Sequence, residues 1–375
     1  MTDCLASFPA RLLPAPWAFH VHSITASTSV GRLPSTPVAT QALTEPSMNN
    51  RKQVLIDTDV DIDDWMAILY LMKHPDVDVV GITTTGCGAA HLTPGKVNAK
   101  NLLMLTSRPE TPVAGGTSAP LIYSNQFPNS IRDGIDTLFG LSLPPNPHPI
   151  DPRPAVQFLR ETLLAATTPV TVLAIGGMTN LGKLLRDHPE VKPKIDRIVV
   201  MGGAISVPGN VYDVDSNYLN KVAEWNIFLD VLGAQIVFRS GVPITLVPLD
   251  ASQNVPLDKA FYNRFAQRHT SRAANFIHDA LTADISFVMS GNFFFWDPLA
   301  AAILVDPSLA SSTSPTVSPQ VMNLNVAQTL DEEQDTSGQL VQVTDGPPID
   351  VAMWANADAF YRSFLDIINL PDEGR

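Results

Sequence analysis

An apolar run, Val54-Leu55-Ile56, leads straight into five aspartates within eight residues: Asp57, Asp59, Asp61, Asp63 and Asp64. The run reads as a buried strand. Carboxylates this close repel one another unless a cation or a set of donors neutralises them. A solvent-facing acidic patch does not normally sit on the end of a buried strand. The cluster is therefore the leading candidate for a hard-metal site, and carboxylate oxygens suit Ca²⁺ or Mg²⁺.

From Gln53 onward, strand-like runs alternate with helical patterns. Strands are expected at 54–56, 77–83, near Val113, and at 170–175, 195–201 and 244–247. Helices are expected at 63–73, 94–105, 155–166, from about Asn180, and at 231–238. Others are expected near 256–268 and 272–289, at 298–305 and near 356–368. β-like pieces are expected around 321–328 and 339–343. Residues 120–154 read as loop, with prolines at 144, 145, 147, 149, 152 and 154. Alternation of this kind implies an α/β fold: a Rossmann-like, mostly parallel sheet with helices on both faces. With no long linker after residue 50, residues 51–375 are expected to form one domain.

Charge narrows the partners. The 375 residues carry 24 basic and 37 acidic side chains, a formal net charge of −13. No basic run offsets the excess, so a nucleic-acid backbone is disfavoured, whereas a nucleoside carries no phosphate. Two cysteines, Cys4 and Cys87, cannot build a disulfide framework. That favours a reducing, cytoplasmic setting. No apolar run approaches the roughly eighteen residues of a membrane span. Residues 1–50 differ in composition: rich in Pro, Ser, Thr and Ala, with Asp3 and Glu45 the only acids. They read as a disordered leader, with a targeting segment as the alternative.

In open parallel sheets, ligands bind beyond the carboxyl ends of the strands, and the informative motifs all fall there. Asp57-x-Asp59-x-x-x-Asp63-Asp64 follows the first strand. Ala174-Ile175-Gly176-Gly177-Met178-Thr179-Asn180-Leu181 spans the end of another. Met201-Gly202-Gly203-Ala204 closes a third, followed by Gly209-Asn210 and Ala223-Glu224-Trp225-Asn226-Ile227. Trp296-Asp297-Pro298-Leu299-Ala300 comes later. In this order, over roughly residues 53–370, the four blocks resemble the inosine–uridine nucleoside hydrolase family, which cleaves the N-glycosidic bond of ribonucleosides. A lone Asp-x-Asp would be weak evidence; four ordered blocks are specific.

The resemblance implies a ribonucleoside hydrolase with one Ca²⁺ at the bottom of the pocket. Its ligands would be Asp59, Asp64, Asp297 and the backbone carbonyl of Ile175. Asp59 would also be the general base that activates the metal-bound water. Asp63 and Asn226 would bind ribose hydroxyls, and Asn210 and Glu224 the 5′ end. The transition state would be oxocarbenium-like, stabilised by surrounding carboxylates. A homo-oligomer, dimer or tetramer, is implied in the same way. Asp57 is expected to support the site rather than ligate, and Trp225 to pack in the core.

Two positions depart from the family pattern. Asp61 stands where the family usually has Gly, so either its charge faces solvent or the turn is distorted. Trp296 stands where many purine-cleaving members have His, and an indole cannot protonate a leaving base. Either the substrate needs less help, another residue supplies the proton, or Trp296 stacks on the base. His91, in the loop after the second strand, is the nearest other acid, though a loop role without chemistry is favoured. Cys87 in the same loop reads as packing.

Two competing readings remain. One is a nucleoside- or ribose-binding protein without catalysis on the same scaffold. The other is a Mg²⁺-dependent phosphatase of the haloacid-dehalogenase type, whose nucleophile loop Asp57-Thr58-Asp59-Val60 resembles. The latter leaves Glu224-Trp225-Asn226 and Trp296-Asp297-Pro298 unexplained.

Overall fold

A computed structural model describes residues 51–311, 319–328 and 335–372; the expected leader at 1–50 lies outside the described residues. The strands are β1 (Lys52–Thr58), β2 (Val77–Thr84), β3 (Val113–Gly115), β4 (Val170–Ile175), β5 (Ile195–Met201), β6 (Ile244–Val247), β7 (Gln320–Val326), β8 (Leu340–Gln342) and β9 (Pro348–Val351). They form one sheet in the order β3-β2-β1-β4-β5-β6-β9-β7-β8. β1 to β6 and β9 pair in parallel, while β7 is antiparallel to both β9 and β8. The chain therefore winds one way from β1 to β3, then returns beside β1 and winds the other way from β4. The switch point lies between β1 and β4, where Thr58 registers with Ile175. Such a crevice is where open α/β sheets hold ligands.

Successive side chains on a strand point to opposite faces, and here the two faces feed separate cores. Val54 and Ile56 of β1, Leu173 and Ile175 of β4, and Val199 and Met201 of β5 enter one core. Leu55, Val172, Ala174, Ile198 and Val200 enter the other. Helices Ala155–Ala165, Thr179–Asp187 and Val231–Phe238 cover the second face. Helices Ile62–Lys73, Arg272–Ala283, Trp296–Val305 and Ala357–Ile368 cover the first. Both faces being covered explains why the strands read as continuous apolar runs.

Helix Ile62–Lys73 is buried from Ile62 to Met72 and packs against helix Trp296–Val305. Asp61 caps it: the Asp61 carboxylate accepts from the Ile62 amide at 2.6 Å, and the Asp64 carboxylate accepts from the Asp61 amide at 3.0 Å. This reciprocal arrangement satisfies amides that the first turn would leave unpaired.

Some elements differ from the sequence expectation. The segment 120–154 contains a helix, Asn129–Asp136. Its apolar residues Ile131 and Ile135 stand four apart, on one helical face, but the proline-rich context obscured them. The helical stretch near 256–268 shrinks to Lys259–Phe265, and the one at 272–289 breaks at Asp284. β9 is only four residues long, begins with a proline, and owes its pairing to β6 and β7. Short helices Val211–Val214, Trp225–Leu229 and Leu249–Ser252 are too short for a periodic pattern to show, and only Trp225–Leu229 has a side-chain cap, Glu224.

Candidate active site

The turn after β1 carries the site, and its backbone is under strain. Val60 has φ of +68° although it is β-branched and fully buried, a conformation uncommon for any non-glycine residue. Its amide donates to Thr58 Oγ1 at 2.9 Å, and its carbonyl accepts from Trp65 Nε1 at 2.8 Å. The left-handed residue is thus Val60, while Asp61 keeps an ordinary φ of −72° and serves as the helix cap.

Asp63 and Asp64 lie in the first turn of helix Ile62–Lys73, and Asp297 in the first turn of helix Trp296–Val305. The three are buried, and each places an oxygen within 4.8 Å of the others. Ligand oxygens around one Ca²⁺ lie at most about 5 Å apart, twice the metal–oxygen distance. Two helix amino termini also favour negative charge at this point. Thr58 Oγ1 donates to Asp64 Oδ1, but Asp297 Oδ1 is buried with no hydrogen-bond partner among the described residues. A buried, unpartnered acceptor is costly. None of the ion pairs among the described residues involves the three. A hard divalent cation would satisfy Asp297 Oδ1 and offset the mutual repulsion, so the donor set fits such a metal.

Asp59 adjoins this trio. Its Oδ2 accepts from the Ala89 amide at 2.9 Å, and its carbonyl from the Ala90 amide at 3.0 Å. Gly88 and Gly176 wrap it so closely that a β-carbon would fall 1.8 Å from Asp59 Oδ2 at Gly88 and 2.6 Å from the Asp59 nitrogen at Gly176. Only glycine permits that approach. Without metal, burial pushes Asp59 up to about 7 against the lowering effect of the Ala89 amide, with the Asp63 charge adding. Burial likewise raises Asp63 to about 7, and holds Asp64 and Asp297 well above the usual carboxylate range with help from neighbouring charges. Asp57 points elsewhere: its Oδ1 accepts from Thr83 Oγ1 at 2.6 Å and Asn180 Nδ2 at 2.8 Å, tying β1 to β2 and to helix Thr179–Asp187.

Ile175 ends β4 beside Thr58. Glu224 is buried as the cap of helix Trp225–Leu229, accepting amides from Asn226 at 2.9 Å, Gly203 at 2.9 Å and Ile227 at 3.2 Å. Burial raises it to about 7, and the Asp63 charge reaches it. Asn210 Oδ1 accepts from the Trp225 amide at 3.1 Å, fastening the long 211–223 loop to the same helix. Asn226 Nδ2 reaches the Met201 carbonyl at 3.3 Å. Trp225 is buried and stacks on Phe127 at 4.2 Å between ring centres. Trp296 is half-buried, 5.5 Å from the Phe293 ring and 6.4 Å from Phe287.

His91 Nδ1 lies 2.6 Å from Asp136 Oδ2, and the His91 amide donates to Asp136 Oδ1 at 2.9 Å. The Cys87 thiol is buried between Thr85 and Thr179 hydroxyls, and burial pushes it up to about 11, so it stays protonated at neutral pH. Sequence reasoning passed over Arg132, Ala89 and Gly88. Ala89 acts through a backbone amide, which leaves no side-chain signal.

Fold and site together define an α/β protein with an acidic, metal-ready crevice at the switch point of a parallel sheet. The chain belongs to the inosine-uridine preferring nucleoside hydrolase family, which matches residues 54–362. It is 36% identical over 211 residues to a pyrimidine-specific ribonucleoside hydrolase, RihA, of Shewanella baltica, covering 55% of this chain and 61% of that protein. A Salmonella schwarzengrund protein of the same description is 35% identical over 214 residues, covering 56% and 65%. The matched region thus spans under two thirds of these relatives' length. Among solved structures, the purine-preferring ribonucleoside hydrolase from Gardnerella vaginalis is similar at 27% identity and TM-score 0.70, covering 85% of this chain and 98% of that one. The inosine-uridine preferring nucleoside hydrolase from Bacillus anthracis shares the fold at 24% identity and TM-score 0.72, covering 85% and 99%.

Proposed function

We propose that this chain hydrolyses the N-glycosidic bond of a ribonucleoside, giving ribose and a free base, with Ca²⁺ held by Asp59, Asp64, Asp297 and the Ile175 carbonyl. The observation that carries the reading is the buried carboxylate trio, with its unpartnered Asp297 Oδ1, beside a glycine-wrapped Asp59. Bound calcium would supply positive charge that orients the sugar hydroxyls and acidifies water. Asp63 is close enough to Asp64 and Asp297 to share in that ligand set as well as in ribose binding.

Asp59 takes the proton from the attacking water. The hydroxyl oxygen bonds to C1′, the C1′–N bond breaks, and its electron pair leaves with the base, which takes a proton from solvent while Asp59 returns its own to solvent. Asp59, Asp63 and Glu224 surround the sugar with negative charge as C1′ becomes electron-poor. Asn226 holds ribose hydroxyls, and Asn210 and Glu224 the 5′ end. Trp296 offers an aromatic face to the base rather than a proton. One similar protein is described as pyrimidine-specific and another as purine-preferring, so both base classes are candidate leaving groups. A cytoplasmic homo-oligomer is the accompanying proposal, and among the described residues no helix is long and apolar enough to cross a membrane.

The test is ribose release from inosine, adenosine, guanosine, uridine and cytidine, with calcium and with chelator. Calcium-dependent release from any of them supports the reading. Tight ribose or nucleoside binding without release would establish a binding protein instead.

A further inference from the structure

A buried arginine stands over the loop that holds Asp59. Arg132, 4% exposed, lies in helix Asn129–Asp136. Its Nη2 donates to two backbone carbonyls of one loop, Gly86 at 2.8 Å and Ala90 at 3.2 Å. Its Nη1 donates to Gln126 Oε1 at 3.2 Å. It makes no ion pair among the described residues. Burying a guanidinium with no carboxylate in ion-pair contact is expensive. Three hydrogen bonds and the through-space charges of Asp136, Asp59 and Asp133 offset that cost, and two of those bonds go to one loop.

That loop holds Asp59. The amides of Ala89 and Ala90 hold the carboxylate and carbonyl of Asp59. Between its fixed ends, Gly88 touches Asp59 with no room for a β-carbon. The same helix grips the loop a second time, where Asp136 accepts the His91 amide at 2.9 Å and lies 2.6 Å from His91 Nδ1. Helix Asn129–Asp136 thus fastens both ends of the segment 86–91, and the middle of that segment orients Asp59. Movement of the loop by a fraction of an ångström passes directly to the carboxylate.

We propose that Arg132, with Asp136, is a positioning residue: it clamps the Gly86–His91 loop so that the Ala89 amide holds Asp59 in line for proton abstraction. This rests on the reading of Asp59 as the general base. Arg132 hydrogen-bonds to Gly86, Ala90 and Gln126 and not to Asp59, Asp63, Asp64 or Asp297, and the Asp59 charge reaches it only through space.

The test compares Arg132→Met, Arg132→Lys and Asp136→Ala in the full chain with calcium bound. Two readouts are taken. Amide hydrogen exchange at Ala89 and Ala90 rises at least about tenfold in Arg132→Met while β1 amides keep their protection. The kcat for ribose release falls about 100-fold, the effect of misplacing a reacting group by about 1 Å, with KM and calcium affinity held. Arg132→Lys, which keeps a cationic donor, recovers part of the lost kcat. Unchanged exchange at Ala89 and Ala90, or a loss shared equally by kcat, KM and calcium affinity, overturns the clamp. If Arg132→Met fails to fold, Asp136→Ala decides by the same two readouts. If exchange responds but the native chain releases no ribose, the grip on the loop is upheld while its catalytic purpose is overturned together with the hydrolase reading.

Discussion

At the scale of single residues, Asp59 and Trp296 carry the sharpest expectations. Asp59→Asn keeps the shape of a side chain wedged between Gly88 and Gly176 and removes the base. Turnover falls by about 10²–10⁴, the usual contribution of general-base catalysis, with the circular dichroism spectrum unchanged; activity within tenfold of the native chain would remove Asp59 from its role. Trp296→Ala removes a stacking face worth about 1–3 kcal/mol per base. Its KM rises about tenfold and kcat falls less; steady-state kinetics giving a lost kcat at constant KM would assign Trp296 to the chemistry instead. Most of these residues were legible because each stands in a short motif at a strand end. Arg132 was not. Its sequence neighbourhood, Ile131-Arg132-Asp133-Gly134, looks like a solvated turn, and only the fold buries it against Gly86 and Ala90.

At the scale of elements, helix Ile62–Lys73 depends on its first turn. Asp61 supplies the cap, and its charge also opposes Asp59 and Asp63. Asp61→Ala is expected to cost the calcium-loaded protein about 1 kcal/mol, the typical worth of an N-cap. In chelator the loss shrinks, because relief of repulsion offsets the missing cap. Urea unfolding in both conditions measures the difference; an equal loss in each would show that Asp61 acts only as a cap. The alternatives of a solvent-facing charge or a distorted turn gave way to a third arrangement, in which the strain moved one residue back to Val60. Helix Asn129–Asp136 went unnoticed because prolines at 144–154 dominate its surroundings, yet it places Arg132 and Asp136 beside the site.

At the scale of the whole molecule, the proposed calcium would compete with protons for the buried carboxylates of the candidate metal cluster. Asp59 and Asp63 rise from 3.8 to about 7, Asp57 from 3.8 to about 6, and Glu224 from 4.5 to about 7. A carboxyl raised on folding keeps its proton in the native state after the unfolded chain has lost it. Metal-free stability from these groups is therefore full at low pH and declines from about pH 4 to about pH 7. Calcium held as proposed would oppose the part of that decline that comes from Asp59 and Asp63, by binding their ionised forms. The gain in Tm on adding calcium should grow as pH rises from about 5 to about 7. Thermal unfolding with calcium and with chelator measures it; a gain that is flat or shrinks across that range would disconnect these carboxylates from the metal.

The sequence by itself determined the layered α/β fold, the strand-end location of the site and its aspartates. Alternating apolar runs can bury both faces of a sheet in only a few ways, and clustered carboxylates must be neutralised wherever they lie. The family resemblance already implied that Asp64 and Asp297 share one site; the tertiary structure decided that Asp63 joins their cluster, since Asp297 arrives on a helix more than two hundred residues downstream. It alone set Asp59 between two glycines and bound it to the Ala89 amide. Backbone amides and close approaches carry no residue-type signature, so they become visible only once the chain has been brought back upon itself.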